Sequence, residues 1–377
     1  MSAMESESTE STDPDAAAEM EVKKVKPQTQ VITDKELSEC DREQLHLIGH
    51  IQGEAGHALF ITYPEGRIVG ADVQIGTVLW VRQRTSASKR QRMEEDYTRN
   101  QCNNSTGLAR KPSSTLGDRT DAGYSLEMIG FNLQSWIPDD LYTEIIEATE
   151  SMKRAKSTRT FLFYEHESAA YAISLSTPTH KFSVICIEIE RVESTEAAGD
   201  FYNTLVSLGR VMEFYADEEV LKNACDTVFK LLGQYDRGMV YQFNDDNSGQ
   251  VIHEVKKDHV TTSYLGMRFP ASDIPLPARQ LYIKNGLRYI ENVDAEDLPL
   301  VCEEGSGNMD LSNCRMRAVS KPHIIYLRNM GIVSSLSVAI VVEHELWGLL
   351  AFHGYSKPYK PSLHQRIACE TVRFRHQ

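Results

Sequence analysis

Polar and ionisable side chains that could carry chemistry are concentrated in four short segments of this 377-residue chain. The first is Cys-Asp-Arg-Glu, in which Cys40 lies two residues before Arg42. A neighbouring cation favours the thiolate, which is the form that adds to an electrophilic double bond. The segment therefore suits covalent attachment of a ligand, although an isolated accessible cysteine is more often an inert thiol.

The second segment is RFPASDIPLPARQLYIKNGLRYI, which carries helix signals at both ends. Ser272 or Asp273 is predicted to cap a helix that starts after the prolines and ends at Asn285 and Gly286. The alternative to a binding role for Asp273 is that it serves only as this cap.

The third segment runs from Arg317 to Tyr326 and repeats polar residues at every third position. This spacing places much of the set on one face of a helical turn. Arg317 can bind a carboxylate through its planar fork, and His323 can hold a proton or a water. A single histidine in such a segment is more often structural.

The fourth segment is an apolar strand interrupted by Ser335 and Ser337. Alternation along a strand sends both hydroxyls to one face, where they suit a polar ligand group such as a carboxylate. His353 ends the predicted partner strand. Two serines on a solvated face of a sheet would give the same pattern.

Catalytic signatures are missing from the sequence, which contains no G-x-S-x-G elbow, Walker loop, H-E-x-x-H pair or dinucleotide fingerprint. We therefore predict a ligand-binding protein rather than an enzyme. The seven cysteines contain no C-x-x-C pair, so neither a disulfide framework nor a metal site is predicted.

Charge and hydropathy limit the partners. Forty basic against fifty-four acidic residues give a net charge of -14, which disfavours nucleic acid and anionic membranes. Without a secretion signal or a membrane span, the chain is predicted to be cytoplasmic. The basic cluster around Lys89, Arg90 and Arg92 resembles a nuclear-import signal, but a solvated loop is the simpler interpretation.

Composition and periodicity predict an α+β protein with two domains, each an antiparallel sheet flanked by helices. Residues 1–30 are acidic and poor in large apolar residues, which predicts a disordered tail. Residues 31–195 form the first predicted domain, with a flexible insertion at 82–121, and residues 198–377 form the second.

In their order along the chain, these segments resemble the PAS and GAF domains of the phytochromes over nearly all of residues 35–377. Cys40-Asp-Arg-Glu43 is similar to the N-terminal Cys-x-x-Glu of the biliverdin-binding members. Phe269-Pro-Ala-Ser-Asp273-Ile-Pro275 is similar to the Pro-x-Ser-Asp-Ile-Pro signature, and Tyr241 in MVYQF to a pocket tyrosine.

The resemblance implies a linear tetrapyrrole cofactor, biliverdin, held by a thioether to Cys40. Plant-type relatives place their attaching cysteine just before the pocket histidine, where this chain has Pro322. The implied cofactor-binding residues are Cys40, Tyr241, Phe269, Asp273, Ile274, Pro275, Tyr282, Arg288, Arg317, Ser320, His323, Tyr326, Ser335, Ser337 and His353.

The resemblance also implies a red/far-red photoreceptor that signals through reversible isomerisation at the D ring of the bilin. The N-terminal segment would thread through a loop near residues 294–316 as a figure-of-eight knot. A homodimer or a downstream signalling domain would be the protein partner. The alternative is a PAS/GAF regulatory module that senses another small molecule without photochemistry.

Overall fold

The computed structural model describes residues 43–79, 127–166, 168–178, 182–192, 218–305, 307–371 and 375–376. Cys40, the predicted tail at 1–30 and the predicted insertion at 82–121 lie outside these residues. What the sequence predicts for them stays a prediction.

Strands and one helix from the first half of the chain follow the expected apolar runs. The residues HALFIT and IVGAD pair as an antiparallel hairpin across a turn at Gly66, whose φ of 70° is readily adopted only by glycine. The elements are β1 (His50–Gln52), β2 (His57–Thr62), β3 (Ile68–Asp72), α1 (Asp139–Arg154), β4 (Arg159–His166), β5 (Ala169–Ser176) and β6 (Val184–Val192).

The second half of the chain contains the predicted strand with Ser335 and Ser337 and its predicted partner strand, which carries His353. Helical turns of the 3₁₀ type also occur at Leu45–Leu47, Ile75–Thr77, Leu133–Ser135 and Ala271–Asp273. The elements are α2 (Glu218–Leu232), β7 (Arg237–Phe243), β8 (Gly249–Lys256), β9 (Arg268–Phe269), α3 (Leu276–Asn285), β10 (Leu287–Ile290), β11 (Asp297–Cys302), α4 (Lys321–Asn329), β12 (Ser334–Val342), β13 (Glu345–Gly354), α5 (Leu363–Thr371) and β14 (Arg375–His376).

Two seven-stranded sheets result, which confirms the predicted α+β class. The first has the order β1-β11-β3-β2-β6-β5-β4 and is antiparallel throughout. The second has the order β10-β12-β13-β7-β8-β9, with β14 added to β12 as a short parallel pair. No helix in the described ranges is long and apolar enough to cross a membrane.

Strand β11 joins the two halves of the chain. It follows β10 of the second sheet, yet it pairs with β1 and β3 of the first. The first sheet therefore takes one strand from the range predicted for the second domain. The boundaries at 195 and 198 stay a prediction.

The N-terminal segment lies against the chain that follows β11. The amide of Leu311 donates to His46 O at 2.7 Å, and Asn308 Nδ2 donates to Leu47 O at 2.9 Å. These contacts fall in and beside the loop predicted for threading. The knot itself stays a prediction, because the described residues begin at residue 43.

A continuous apolar core connects the two sheets. Buried side chains of the first sheet, such as Ile51 and Phe60, pack in one cluster with buried side chains of the second, such as Val240 and Phe352. A separate cluster fills the space between the first sheet and α1. The second sheet is thereby fixed on one face, and the other face is left to form a cavity.

Candidate ligand-binding site

The cavity lies between the second sheet, helices α3 and α4, and the segment before α3. Its empty volume is about 1380 Å³ when the opening to solvent is included. It is lined by every predicted cofactor-binding residue that the structure describes. These are Tyr241, Phe269, Asp273, Ile274, Pro275, Tyr282, Arg288, Arg317, Ser320, His323, Tyr326, Ser335, Ser337 and His353.

Apolar and aromatic side chains form one wall. Tyr241 on β7 is buried and packs against Phe269, with their ring centroids 6.0 Å apart. Ala351 on β13 and Val251 on β8 continue the same cluster. Such a wall excludes water and suits an extended apolar ligand.

Two arginines form a cationic end. Arg288 on β10 donates to Ala318 O at 3.0 Å, and Arg317 donates to Leu45 O at 3.0 Å. Burial together with the charge of Arg288 lowers the pKa of Arg317 to about 9. Buried like charges are costly without counterions, so this end of the cavity suits carboxylates.

Hydroxyl groups surround the two arginines. Ser335 and Ser337 both line the cavity, which confirms that alternation along β12 places them on one face. Ser337 is the cross-strand partner of Arg288 and is hydrogen-bonded to Tyr282. Ser320 precedes α4, but its side chain makes no capping bond and lines the cavity.

The predicted cap of α3 is wrong. The helix begins at Leu276 with Pro275 at the N-cap and no side-chain capping bond. Asp273 instead ends a 3₁₀ turn, where the prolines keep it outside the helix. Burial raises the pKa of its carboxyl group, to which Tyr326 is hydrogen-bonded. The end of α3 at Gly286 is confirmed by its φ of 77°.

Two histidines complete the lining, of which His353 is buried and His323 is half-buried. Burial and the charge of Arg288 lower the pKa of His323 to about 4. Burial, Arg237 and His323 lower the pKa of His353 to about 3. Both rings are therefore neutral at pH 7, and each can donate through one nitrogen and accept through the other.

Unused hydrogen-bonding groups indicate what the cavity accepts. His353 Nδ1 and Arg317 Nε are buried, and neither has a hydrogen-bond partner among the described residues. Buried polar atoms are rarely left unpaired, because burial without a hydrogen-bond partner costs free energy. A polar ligand that bonded to these two atoms would remove that cost. The residues present thus fit a long apolar ligand that carries carboxylates and polar ring atoms.

Cys40 cannot be placed, because it lies outside the described residues. Leu45, five residues further along the chain, lines the cavity. A five-residue segment spans at most about 18 Å. A ligand bound in the cavity is therefore within reach of the segment that carries Cys40.

Two supporting arginines were not found from the sequence. Arg237 forms a buried ion pair with Glu254 and lies over the ring of Tyr264, a lining residue, at 3.6 Å. Arg279 donates from Nε to Ile274 O at 2.7 Å and from Nη1 to Asn247 Oδ1 at 2.6 Å. The position of Arg279 in the predicted helix was visible, but its partners are distant in sequence.

Comparison with known proteins gives a consistent result. A family model described as the GAF domain matches residues 218–373. Cyanobacterial phytochrome B of a Nostoc species is 30% identical over 341 residues, which cover 89% of this chain and 39% of that protein. A bacteriophytochrome of Pseudomonas aeruginosa is 42% identical over 145 residues, which cover 38% of this chain and 20% of that protein. The chain thus spans well under half the length of these relatives.

Solved structures agree with the sequence comparison. A mutant chromophore-binding domain of Stigmatella aurantiaca bacteriophytochrome, in the Pr state, matches with a TM-score of 0.68 and 25% identity. The match covers 89% of this chain and 96% of that one. The chromophore-binding domain of an unusual bacteriophytochrome from R. palustris matches with a TM-score of 0.65 and 25% identity, covering 89% and 94%.

Proposed function

Because this chain belongs to the phytochrome family and corresponds to its PAS and GAF portion, we propose that it binds biliverdin covalently through Cys40 and senses red and far-red light. The observation that carries the proposal is the lining of the cavity. It combines one buried and one half-buried arginine, three serines, two neutral histidines and one carboxyl group around an apolar wall.

Each lining group has a proposed role that follows from its surroundings. Arg288 and Arg317 bind one propionate, and Ser320, Ser335 and Ser337 bind the other. Asp273 and His323 would lie beside the pyrrole nitrogens and accept hydrogen bonds from their N–H groups. His353 meets the carbonyl of the D ring, for which its unpaired Nδ1 is available.

The bilin, when bound, supplies light absorption and a double bond next to its D ring that isomerises reversibly. The aromatic and aliphatic wall around Tyr241 and Phe269 keeps water away from the ligand. Tyr282 and Tyr326 orient neighbouring polar groups through their bonds to Ser337 and Asp273. A change in hydrogen bonding at Asp273, His323 or His353 would pass to the protein through these contacts.

Cys40 supplies the covalent bond in this proposal. Addition of its S–H group across a vinyl group places sulfur on one carbon and the proton on the other, so no oxidant is needed. Pro322 stands where plant-type relatives attach their bilin, which leaves that position without a thiol. This pattern favours biliverdin.

The wider role of the protein is part of the same proposal. We infer a cytoplasmic, non-enzymatic sensor in which no substrate is turned over. Its output would pass to a second copy of the chain or to a downstream signalling domain. These points rest on the relatives, of which this chain spans only a part.

Biliverdin reconstitution tests the proposal. Purified protein is incubated with biliverdin, denatured to reveal covalent colour, and separately illuminated with red and then far-red light. We expect a covalent adduct in the wild type and in Cys102→Ala, no adduct in Cys40→Ala, and a reversible change in absorbance. An adduct undiminished in Cys40→Ala would contradict attachment at Cys40. Absence of coloured binding would favour a non-photochemical module.

A further inference from the structure

A second group of potential ligand atoms lies beneath the cavity, outside the lining residues assigned to the bilin. The Sγ atoms of Cys186 and Cys314 and a carboxylate oxygen of Glu188 all lie within 4.8 Å of one another, and all three residues are buried. Cys186 and Glu188 are two residues apart on β6 and so share a face. Cys314 belongs to the segment between β11 and α4.

We propose that Cys186, Glu188 and Cys314 form a binding site for a thiophilic divalent cation such as Zn²⁺, which links the first sheet to the segment that carries Arg317. Two sulfurs and one oxygen match the preferences of zinc. Tetrahedral bonds of about 2.3 Å to sulfur and 2.0 Å to oxygen place ligands about 3.5–3.8 Å apart. The observed spacing needs a contraction of at most about 1.3 Å.

Glu188 is the second observation that points to a cation. Its Oε1 accepts from the Met316 amide at 2.8 Å and from Cys314 Sγ at 3.2 Å. Its Oε2 is buried and accepts from no described residue. The residue is only 1% exposed. Because buried polar atoms are rarely left without a partner, the unpaired Oε2 gives this carboxylate a free position for a cation bound between the sulfurs.

The surrounding charges tolerate such an ion. The charges of Arg159 and Arg366 both act on Glu188, and that of Arg159 also acts on Cys186. Binding of a divalent cation releases the two thiol protons. The two thiolates, the carboxylate and the ion together therefore have the same net charge as the two thiols and the carboxylate had before binding. Arg159 and the arginines of the cavity therefore experience no net change in charge.

The cluster is accessible from the cavity. Cys314 contributes to the cavity lining as well as to the cluster, so an ion can enter before a ligand fills the cavity. Burial raises the pKa of both thiols, which makes them poor nucleophiles when no metal is present. Because metal binding must displace the two thiol protons, binding should become stronger as the pH rises.

Cadmium and zinc titrations of the ligand-free protein test this site without reference to the bilin. The probes are Cd²⁺, followed by the ultraviolet thiolate-to-metal absorption, and Zn²⁺, followed by competition with a coloured chelator. We expect one equivalent per chain in the wild type and at least tenfold weaker binding in Cys186→Ser, Cys314→Ser and Glu188→Gln. Cys225→Ser removes another buried thiol, and Cys40→Ser removes the proposed attachment thiol. Both controls should bind as the wild type does.

X-ray absorption of the zinc-loaded wild type makes the test independent of how the variants fold. Two sulfur neighbours together with oxygen support the proposal. Ligation by nitrogen and oxygen alone, or by four sulfurs, overturns it. Wild-type protein that binds neither ion, or that contains a Cys186–Cys314 disulfide in place of a metal, overturns it as well.

Discussion

At the scale of residues, Arg317 keeps a charge that its burial disfavours. Arg317 stays cationic although it is buried beside another arginine, and its Nε has no partner among the described residues. Without a ligand this arrangement costs folding free energy, and with a carboxylate it is stabilised. Arg317 therefore lowers the stability of the empty protein and raises its affinity for a ligand that carries a carboxylate.

We predict opposite effects of Arg317→Met on stability and on binding. In a Cys40→Ala background, where binding stays reversible, loss of a charge-assisted bond worth about 1.5–3 kcal/mol should raise the dissociation constant for biliverdin about 10- to 100-fold. Removal of a buried charge should leave the empty protein unchanged or stabilise it by about 1 kcal/mol. Absorbance titration and urea unfolding measure the two effects.

Arg328→Met is the matched control for that experiment. Arg328 pairs with Asp294 on the surface, where ion pairs contribute little. It should change neither the affinity nor the unfolding midpoint by a comparable amount. Equal affinity of Arg317→Met and the wild type would remove Arg317 from the proposed propionate site.

The buried histidines should make the stability of the empty protein depend on pH. Because the folded pKa of His353 is about 3, below its unfolded value of about 6.5, acid protonates the unfolded chain first. Stability is therefore full above pH 6.5 and falls as the pH decreases from there toward 3. From pH 7 to 5.5 one such histidine accounts for about 1 kcal/mol.

His353→Gln should remove that share of the pH dependence. Urea unfolding at pH 7 and pH 5.5 gives the loss of stability for the wild type and for the variant. The difference between the two losses should be about 1 kcal/mol, with the variant less sensitive to acid. Identical losses would mean that His353 is protonated equally in the folded and unfolded states.

At the scale of elements, the hairpin of β7 and β8 shapes the aromatic wall. Gly249 begins β8, and a Cβ atom there would lie 1.8 Å from Cζ of Tyr241. No real structure contains such a contact, so the ring of Tyr241 occupies the place of a missing side chain. The absence of one methyl group thus sets the position of a lining residue.

We predict that Gly249→Ala displaces the Tyr241 ring. The cost of overpacking should be about 1–3 kcal/mol in urea unfolding, together with a shift in the absorbance of the bound bilin. In a Tyr241→Ala background the same substitution should cost much less, giving a coupling energy above about 1 kcal/mol. Additive effects of the two substitutions would show that the ring and the glycine are independent.

At the scale of the whole molecule, the two sheets are held together by non-covalent contacts as well as by the polypeptide that connects them. Strand β11 is exchanged into the first sheet, and one apolar cluster includes residues of both. Buried ion pairs add to this, since Arg366 of α5 binds Glu190 of β6. Domains joined in this way lose part of their core if they separate.

Cooperative unfolding of both sheets is therefore expected. Trp136 reports on the first sheet and Trp347 on the second. The chain has a third tryptophan, Trp80, so two variants that keep only Trp136 or only Trp347 allow the sheets to be followed separately by fluorescence. The two urea transitions should have the same midpoint. Midpoints that differ clearly would show that the sheets unfold independently despite the shared core.

Much of the architecture and of the cavity lining was predictable because it depends on local patterns. Alternation predicted the hairpins and the shared face of Ser335 and Ser337, and the position of Gly286 predicted the end of α3. The Pro-Ala-Ser-Asp-Ile-Pro stretch indicated a family whose cavity residues could be carried over one by one. Predictions of this kind hold in the folded structure because each depends on only a few neighbouring residues.

Tertiary structure decided what depends on residues far apart in the chain. No periodic pattern in the sequence indicates three such features. They are the pairing of β11 with the first sheet, the ion pair of Arg237 with Glu254, and the proximity of Cys186 to Cys314. The neutrality of the two histidines likewise comes from burial, which packing of the whole molecule determines. Sequence thus determined which groups this protein carries, and only folding determined their neighbours, because charge and burial are properties of the assembled core.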